Sequence, residues 1–155
     1  MSVTVDLRID DKSWERISDL KAVCESAIQH AANHVEPNSS IAVDVLLSND
    51  DQLAELNKAW RGKAGPTDVL SFPADPLERP FIGDIAVTIG VAERDAAQFG
   101  KPLDAHLIHL LVHGVLHLLG YDHGTDTQAA IMENLERDIL SDLGYGDPYS
   151  RIEQS

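Results

Sequence analysis

The chain has 155 residues and carries 26 Asp plus Glu against 12 Lys plus Arg, a formal net charge of −14. That balance excludes a basic nucleic-acid coat protein, because non-specific phosphate binding rests on displacing counterions with Lys and Arg; an enzyme with one local positive site stays open. At this length a single domain over 1–155 is expected, and 43% hydrophobic residues are enough to build its core.

Cys24 is the only cysteine, so neither an intrachain disulfide nor a thiolate metal cluster can form. Its place within a helical pattern reads as an inert buried thiol. Met1 to Asp10 lacks the basic and apolar regions of a secretory signal, and no run reaches the ~20 apolar residues that span a bilayer. The expectation is a soluble, cytoplasmic protein with no membrane partner.

Val3, Val5, Leu7 and Ile9 alternate with polar residues, the period of a half-buried strand. From Trp14 through Ile17, Leu20, Cys24, Ile28 and Ala31 the apolar residues recur at helical spacing, before the turn cluster Pro37-Asn38-Ser39-Ser40. Ile41 to Leu47 reads as a buried strand. Ser48-Asn49-Asp50-Asp51 offers an N-cap to a helix carrying Leu53, Ala54, Leu56 and Trp60 and stopped at Gly62. Thr67 to Phe72 and Ile82 to Ile89 read as two further strands. Three helices follow: Val91 to Phe99, Leu103 to Leu119 ended by Gly120, and one capped by Thr125 or Asp126 that runs to about Leu143 before Gly144. The order βαβαββααα predicts an α/β or α+β layer fold, a mixed sheet of about four strands packed with about five helices.

Chemistry is concentrated in His113-Gly114-Val115-Leu116-His117-Leu118-Leu119-Gly120-Tyr121-Asp122-His123. On a helix, positions 113 and 117 lie about 40° apart around the axis and ~6 Å apart along it, so both imidazoles can reach one ion. A straight helix would carry position 123 ~9 Å further on. Gly120 provides the break that lets the chain turn back and present His123 to the same ion. A lone histidine in an apolar helix is ordinarily a satisfied core residue; three at spacings of 4 and 6 around a glycine are not. Three protein ligands with an open position describe a catalytic rather than a structural metal site. His106 and His109 share the face of His113 and His117 one to two turns earlier, where packing and support of the metal ligands are both open. The spacing equals that of H-E-x-x-H-x-x-G-x-x-H proteases, but Gly114 replaces the glutamate that activates water in those enzymes, which weighs against peptide hydrolysis. A glycine there costs roughly 1 kcal/mol against alanine and suggests a close approach of backbone or substrate.

His113 to His123, together with Thr67-Asp68-Val69-Leu70-Ser71-Phe72-Pro73 and Gly83-Asp84-Ile85, resembles the bacterial YbeY family of metal-dependent endoribonucleases. The resemblance runs from about Val43 through Tyr149 and includes the Leu143-Gly144-Tyr145…Asp147-Pro148-Tyr149 ending. It implies cleavage of single-stranded RNA, maturation of ribosomal RNA (notably the 16S 3′ end), ribosome quality control, and one zinc ion on His113, His117 and His123 with water completing the site. The family's arginine in the Asn-x-x-x-Arg-Gly stretch matches Arg61 and is implicated in activity.

Lys58, Arg61 and Lys63 against Asp68 alone make the one sustained positive window, whereas Tyr121 to Asp147 carries seven acids against Arg137. Arg61 can clamp a phosphate through a bidentate fork, or, with Lys63, simply complement a helix C-terminus. The expected reaction is metal-assisted phosphodiester cleavage, with Arg61 on the phosphate. The general base is not determined; Asp122 reads as orientation or solvation, and Asp68 and Asp84 as caps at strand ends. The acidic balance predicts weak binding to free RNA and a ribosomal partner that presents the strand; DNA is not expected as a substrate, and the oligomeric state is open. Two competing readings are a non-catalytic zinc-binding ribosome assembly factor and a metallohydrolase of peptides or small molecules.

Overall fold

Alternating apolar residues build a first strand, β1 (Val3–Ile9), whose burial alternates in step. The computed structural model describes residues 3–52, 54–55 and 69–148. After β1 come a 3-10 turn (Lys12–Arg16), α1 (Leu20–Val35), β2 (Ile41–Ser48) and a helical segment at 50–52 and 54–55. Then follow β3 (Val69–Pro73), a 3-10 turn (Pro76–Glu78), β4 (Phe81–Thr88), α2 (Ile89–Gln98), α3 (Leu103–Leu118) and α4 (Asp126–Asp142). Among the described residues the architecture is α+β: a four-stranded mixed sheet with five helices, counting the segment at 50–52 and 54–55. Strands run in the order β1-β2-β4-β3; β2 is parallel to both β1 and β4, and β3 is antiparallel to β4.

One expected element is divided. The helical spacing that begins at Trp14 belongs to two elements, because Asp11 caps a separate turn through Ser13 N (2.9 Å) and the Trp14 indole donates to the Ser48 carbonyl at 3.0 Å. That bond ties Trp14 to the end of β2, and the chain passes through a left-handed Asp19 (φ 53, ψ 41) before α1 starts. Leu53, Leu56, Trp60, Gly62 and Thr67 lie outside the described residues.

The sheet packs the helices on one face. Val43, Val45, Leu47, Ile85 and Val87 are buried there, and α3, apolar on nearly every side, packs against α1, α2, α4, β3 and β4. On the alternate positions Asp6, Asp44 and Asp84 stand side by side, since Asp6 pairs with Asp44 and Asp44 with Asp84 in the strand register. Asp84 is thus mid-strand, not a cap at a strand end, because β4 continues four residues beyond it to Thr88. These three carboxylates line a groove of about 680 Å³ with Leu46 and Phe72. The groove contains none of the three motif histidines.

Candidate metal centre

α3 is long enough to carry His113 and His117 on successive turns of one face, and it then stops by a defined device. Gly120 adopts φ +103; its N–H donates to the His117 carbonyl (3.0 Å) and Tyr121 N–H to the Leu116 carbonyl (3.0 Å). This pair of bonds is a Schellman motif, which favours glycine because a Cβ is penalised at positive φ. The reversal sends Tyr121, Asp122 and His123 back along the helix end. Asp122 Oδ1 accepts from the His123 backbone N–H at 2.7 Å, shaping the loop. Thr125 then starts α4 through a capping box with Gln128, which fixes the loop at its far side.

The result is a triad. Ring centroids lie 4.8 Å apart for His113–His117, 5.1 Å for His117–His123 and 5.5 Å for His113–His123. One nitrogen from each lies within 4.8 Å of the others. His113 and His117 are half-buried and His123 is exposed, so the cluster faces outward at the end of α3. Burial pushes the His117 pKa down, and positive charge on His113 or His123 would push it further; Asp122 and the Tyr121 backbone oppose this in part. The fold therefore favours the neutral ring, the form in which imidazole binds a metal.

Three imidazoles without thiolate or carboxylate suit a divalent transition ion, zinc among them. A further feature of the molecule fits such an ion. Glu136 of α4 is fully buried, with Oε1 2.5 Å from His109 Nε2 and Oε2 3.2 Å from His113 Nδ1. Burial raises its pKa, but the bonds from His109 and His113 outweigh that and hold the carboxyl below the usual carboxylate range. Ligating histidines ordinarily present the second ring nitrogen to such a group.

Glu136 was not among the residues the sequence singled out; it counted only toward the acidic excess of the last helix. A signal existed, since Met132, Glu136, Ile139 and Leu140 share a buried stripe of α4. His106 and His109 part company. His109 meets Glu136, whereas His106 is buried with Nε2 4.0 Å from Asp95 Oδ2.

Gly114 proves to be a packing residue. A Cβ there would meet Ile85 Cδ1 at 2.9 Å and Ile85 Cγ1 and Cγ2 at 3.2 Å. The glycine lets α3 lie directly on β4, so the position that carries glutamate in the proteases points into the core here. Lys58, Arg61, Lys63 and Asp68 lie outside the described residues, as does Tyr149. What the described residues offer chemically is a three-nitrogen site beside a buried carboxylate.

Comparison with known proteins places the chain in a family. The family model described as Endoribonuclease YbeY matches residues 8–144. A curated Endoribonuclease YbeY from Rhizobium etli is 40% identical over 157 aligned positions, covering 94% of this chain and 92% of the relative. Another of that name from Stutzerimonas stutzeri is 44% identical, covering 86% and 82%. The solution structure of a Thermotoga maritima protein superposes with a TM-score of 0.56 at 25% identity, covering 96% of this chain and all of the other.

Proposed function

This chain belongs to the Endoribonuclease YbeY family, and from that premise we propose that it is a zinc-dependent endoribonuclease domain cutting single-stranded ribosomal RNA. The observation that carries the reading is the return of His123 to the His113–His117 pair, one nitrogen from each lying within 4.8 Å of the others. His113, His117 and His123 hold the ion. When bound, such an ion supplies an acidified water and polarises a phosphate.

The chain's own residues do the rest. Arg61, carried by the family motif, clamps the phosphate and offsets charge gathering on its oxygens. The Gly120 reversal and the Asp122 bond to His123 N–H keep the third histidine in place. Glu136 holds the His113 ring from behind. Maturation of the 16S 3′ end and ribosome quality control are the setting, in the cytoplasm, with a ribosomal partner presenting the strand. The −14 charge supports that last point, since an acidic exterior leaves little affinity for bulk RNA.

The test is cleavage of single-stranded RNA by purified protein with and without chelator, beside His117→Ala and Arg61→Ala. The wild type cuts, chelator stops it, and both variants lose activity. His117→Ala loses metal in an elemental assay, whereas Arg61→Ala retains it. Equal cleavage by all preparations would mark a contaminating nuclease and end the assignment.

A further inference from the structure

We propose that Glu136 is a positioning residue of the metal centre: it fixes His113 in the tautomer that offers Nε2 to the ion, and His109 holds the carboxylate for that task. The inference rests on the reading of the triad as a metal site. Glu136 comes from α4, while both histidines come from α3, four residues apart on one face. Each carboxylate oxygen takes one ring, Oε1 at 2.5 Å from His109 Nε2 and Oε2 at 3.2 Å from His113 Nδ1. A carboxylate only accepts, so the proton of each bond sits on the imidazole. With Nδ1 of His113 protonated and turned to Glu136, Nε2 is the nitrogen left with a lone pair for an ion.

Charge argues the same way. The Glu136 side chain is 1% exposed, and an ionised carboxylate at such a site is costly unless it is paired and hydrogen-bonded. Three neutral imidazoles bring no negative charge to a dication. Glu136 supplies one buried negative charge behind a ligand, outside the coordination sphere, while the two imidazole N–H groups satisfy its oxygens. His109 thereby has a task that its position on α3 leaves unexplained: it anchors the oxygen that His113 does not use and stops the carboxylate from turning away. Its distance from the triad is bridged by Glu136 itself.

The chemistry distinguishes this role from plain packing. Glu136→Gln keeps the volume, but the amide accepts at one end and donates at the other. An amide N–H directed at His113 Nδ1 requires the proton on Nε2, which blocks the ligand nitrogen. With the amide turned the other way His113 keeps its acceptor but His109 loses its own, and in both orientations the buried negative charge is gone, so glutamine weakens the site although it packs as well as glutamate.

The experiment has two arms. In the first, wild-type protein stripped of metal is examined by long-range proton–nitrogen NMR of the histidine rings. His113 is expected in the Nδ1–H tautomer; an Nε2–H ring overturns the proposal, and this arm needs no variant to fold. In the second, zinc affinity is measured by competition with a chromophoric chelator for wild type, Glu136→Gln and His109→Gln, with thermal unfolding of the metal-free forms alongside. Glu136→Gln is expected to bind zinc about 10–100-fold more weakly, with His109→Gln losing less. Undiminished zinc affinity in Glu136→Gln overturns the proposal. Failure of the wild type to bind zinc at all would instead remove the metal reading beneath it.

Discussion

Gly114 of α3 and Ile85 of β4 are in such close contact that a single added methyl at Gly114 would sit 2.9 Å from Ile85 Cδ1. Ile85 is fully buried, so it has little room to yield. Gly114→Ala brings overpacking of about 1–3 kcal/mol, set against about 1 kcal/mol gained in helix propensity. The expected outcome is a net loss of up to about 2 kcal/mol in urea unfolding, partly recovered in Gly114→Ala with Ile85→Val. Gly114→Glu, which restores the protease signature, buries a charge against the sheet and yields neither a stable fold nor peptidase activity. A stable, peptide-cleaving Gly114→Glu would contradict the packing argument.

Metal binding should register as stability. An ion that binds only the folded chain stabilises it by about 2.7 kcal/mol at a free concentration of 100 Kd, or about 5–10 °C in Tm for a chain of this size. Zinc added to stripped wild-type protein is expected to produce that rise. His117→Ala should show almost none. A similar rise in both would place the ion elsewhere.

Two glycines separate the stability of a helix end from its function. Gly120 and Gly144 both sit at positive φ (+103 and +90) in Schellman turns, and a Cβ at either meets nothing within 4 Å among the described residues. Alanine at each position therefore carries a conformational cost alone, about 1–2 kcal/mol. Only Gly120 returns a histidine to the triad. Gly120→Ala should lose zinc affinity as well as stability, and Gly144→Ala stability only; equal zinc affinity in the two variants would refute the role of the α3 reversal.

The aspartate row on the sheet gives a pH signature. Burial raises the Asp84 pKa, and Asp44 and Glu78 raise it further; burial and then Asp6 raise that of Asp44. An acid whose folded pKa is raised favours the fold when protonated, so this stabilisation is present at low pH and lost as pH rises through the folded pKa. Asp84→Asn removes the loss. It should be more stable than wild type at pH 7 by about 0.2–1 kcal/mol, the scale of facing like charges, with the advantage vanishing below about pH 4. Asp50 behaves oppositely. Burial raises its pKa, but Thr88, Arg94 and Val91 N–H outweigh this and lower it, so its contribution is present near neutrality and disappears on acidification. A constant gain for Asp84→Asn across the whole pH range would remove the ionisation explanation.

Much of this molecule was legible from residue order because the governing interactions are local. The i, i+4 spacing of His113 and His117, the glycine that ends α3, the Thr125 cap and the alternation in β1 are settled within a few residues of backbone, so their outcomes could be stated in advance. The element order βαβαββααα and the mixed four-stranded sheet followed from the same local periodicities. Interactions between distant segments were not legible. Trp14 looked like the first turn of a helix, yet its indole bond to Ser48, 34 residues away, placed it in a turn of its own. Gly114 announced a close approach but not its partner, which lies on β4. Glu136 looked like one more solvated acid in a chain of charge −14. Only the packing of α4 on α3 removed it from water and set it between two histidines. Periodicity assigns a residue to a face, but the group it meets there depends on long-range packing, and that decided which charge lies beside the histidine cluster.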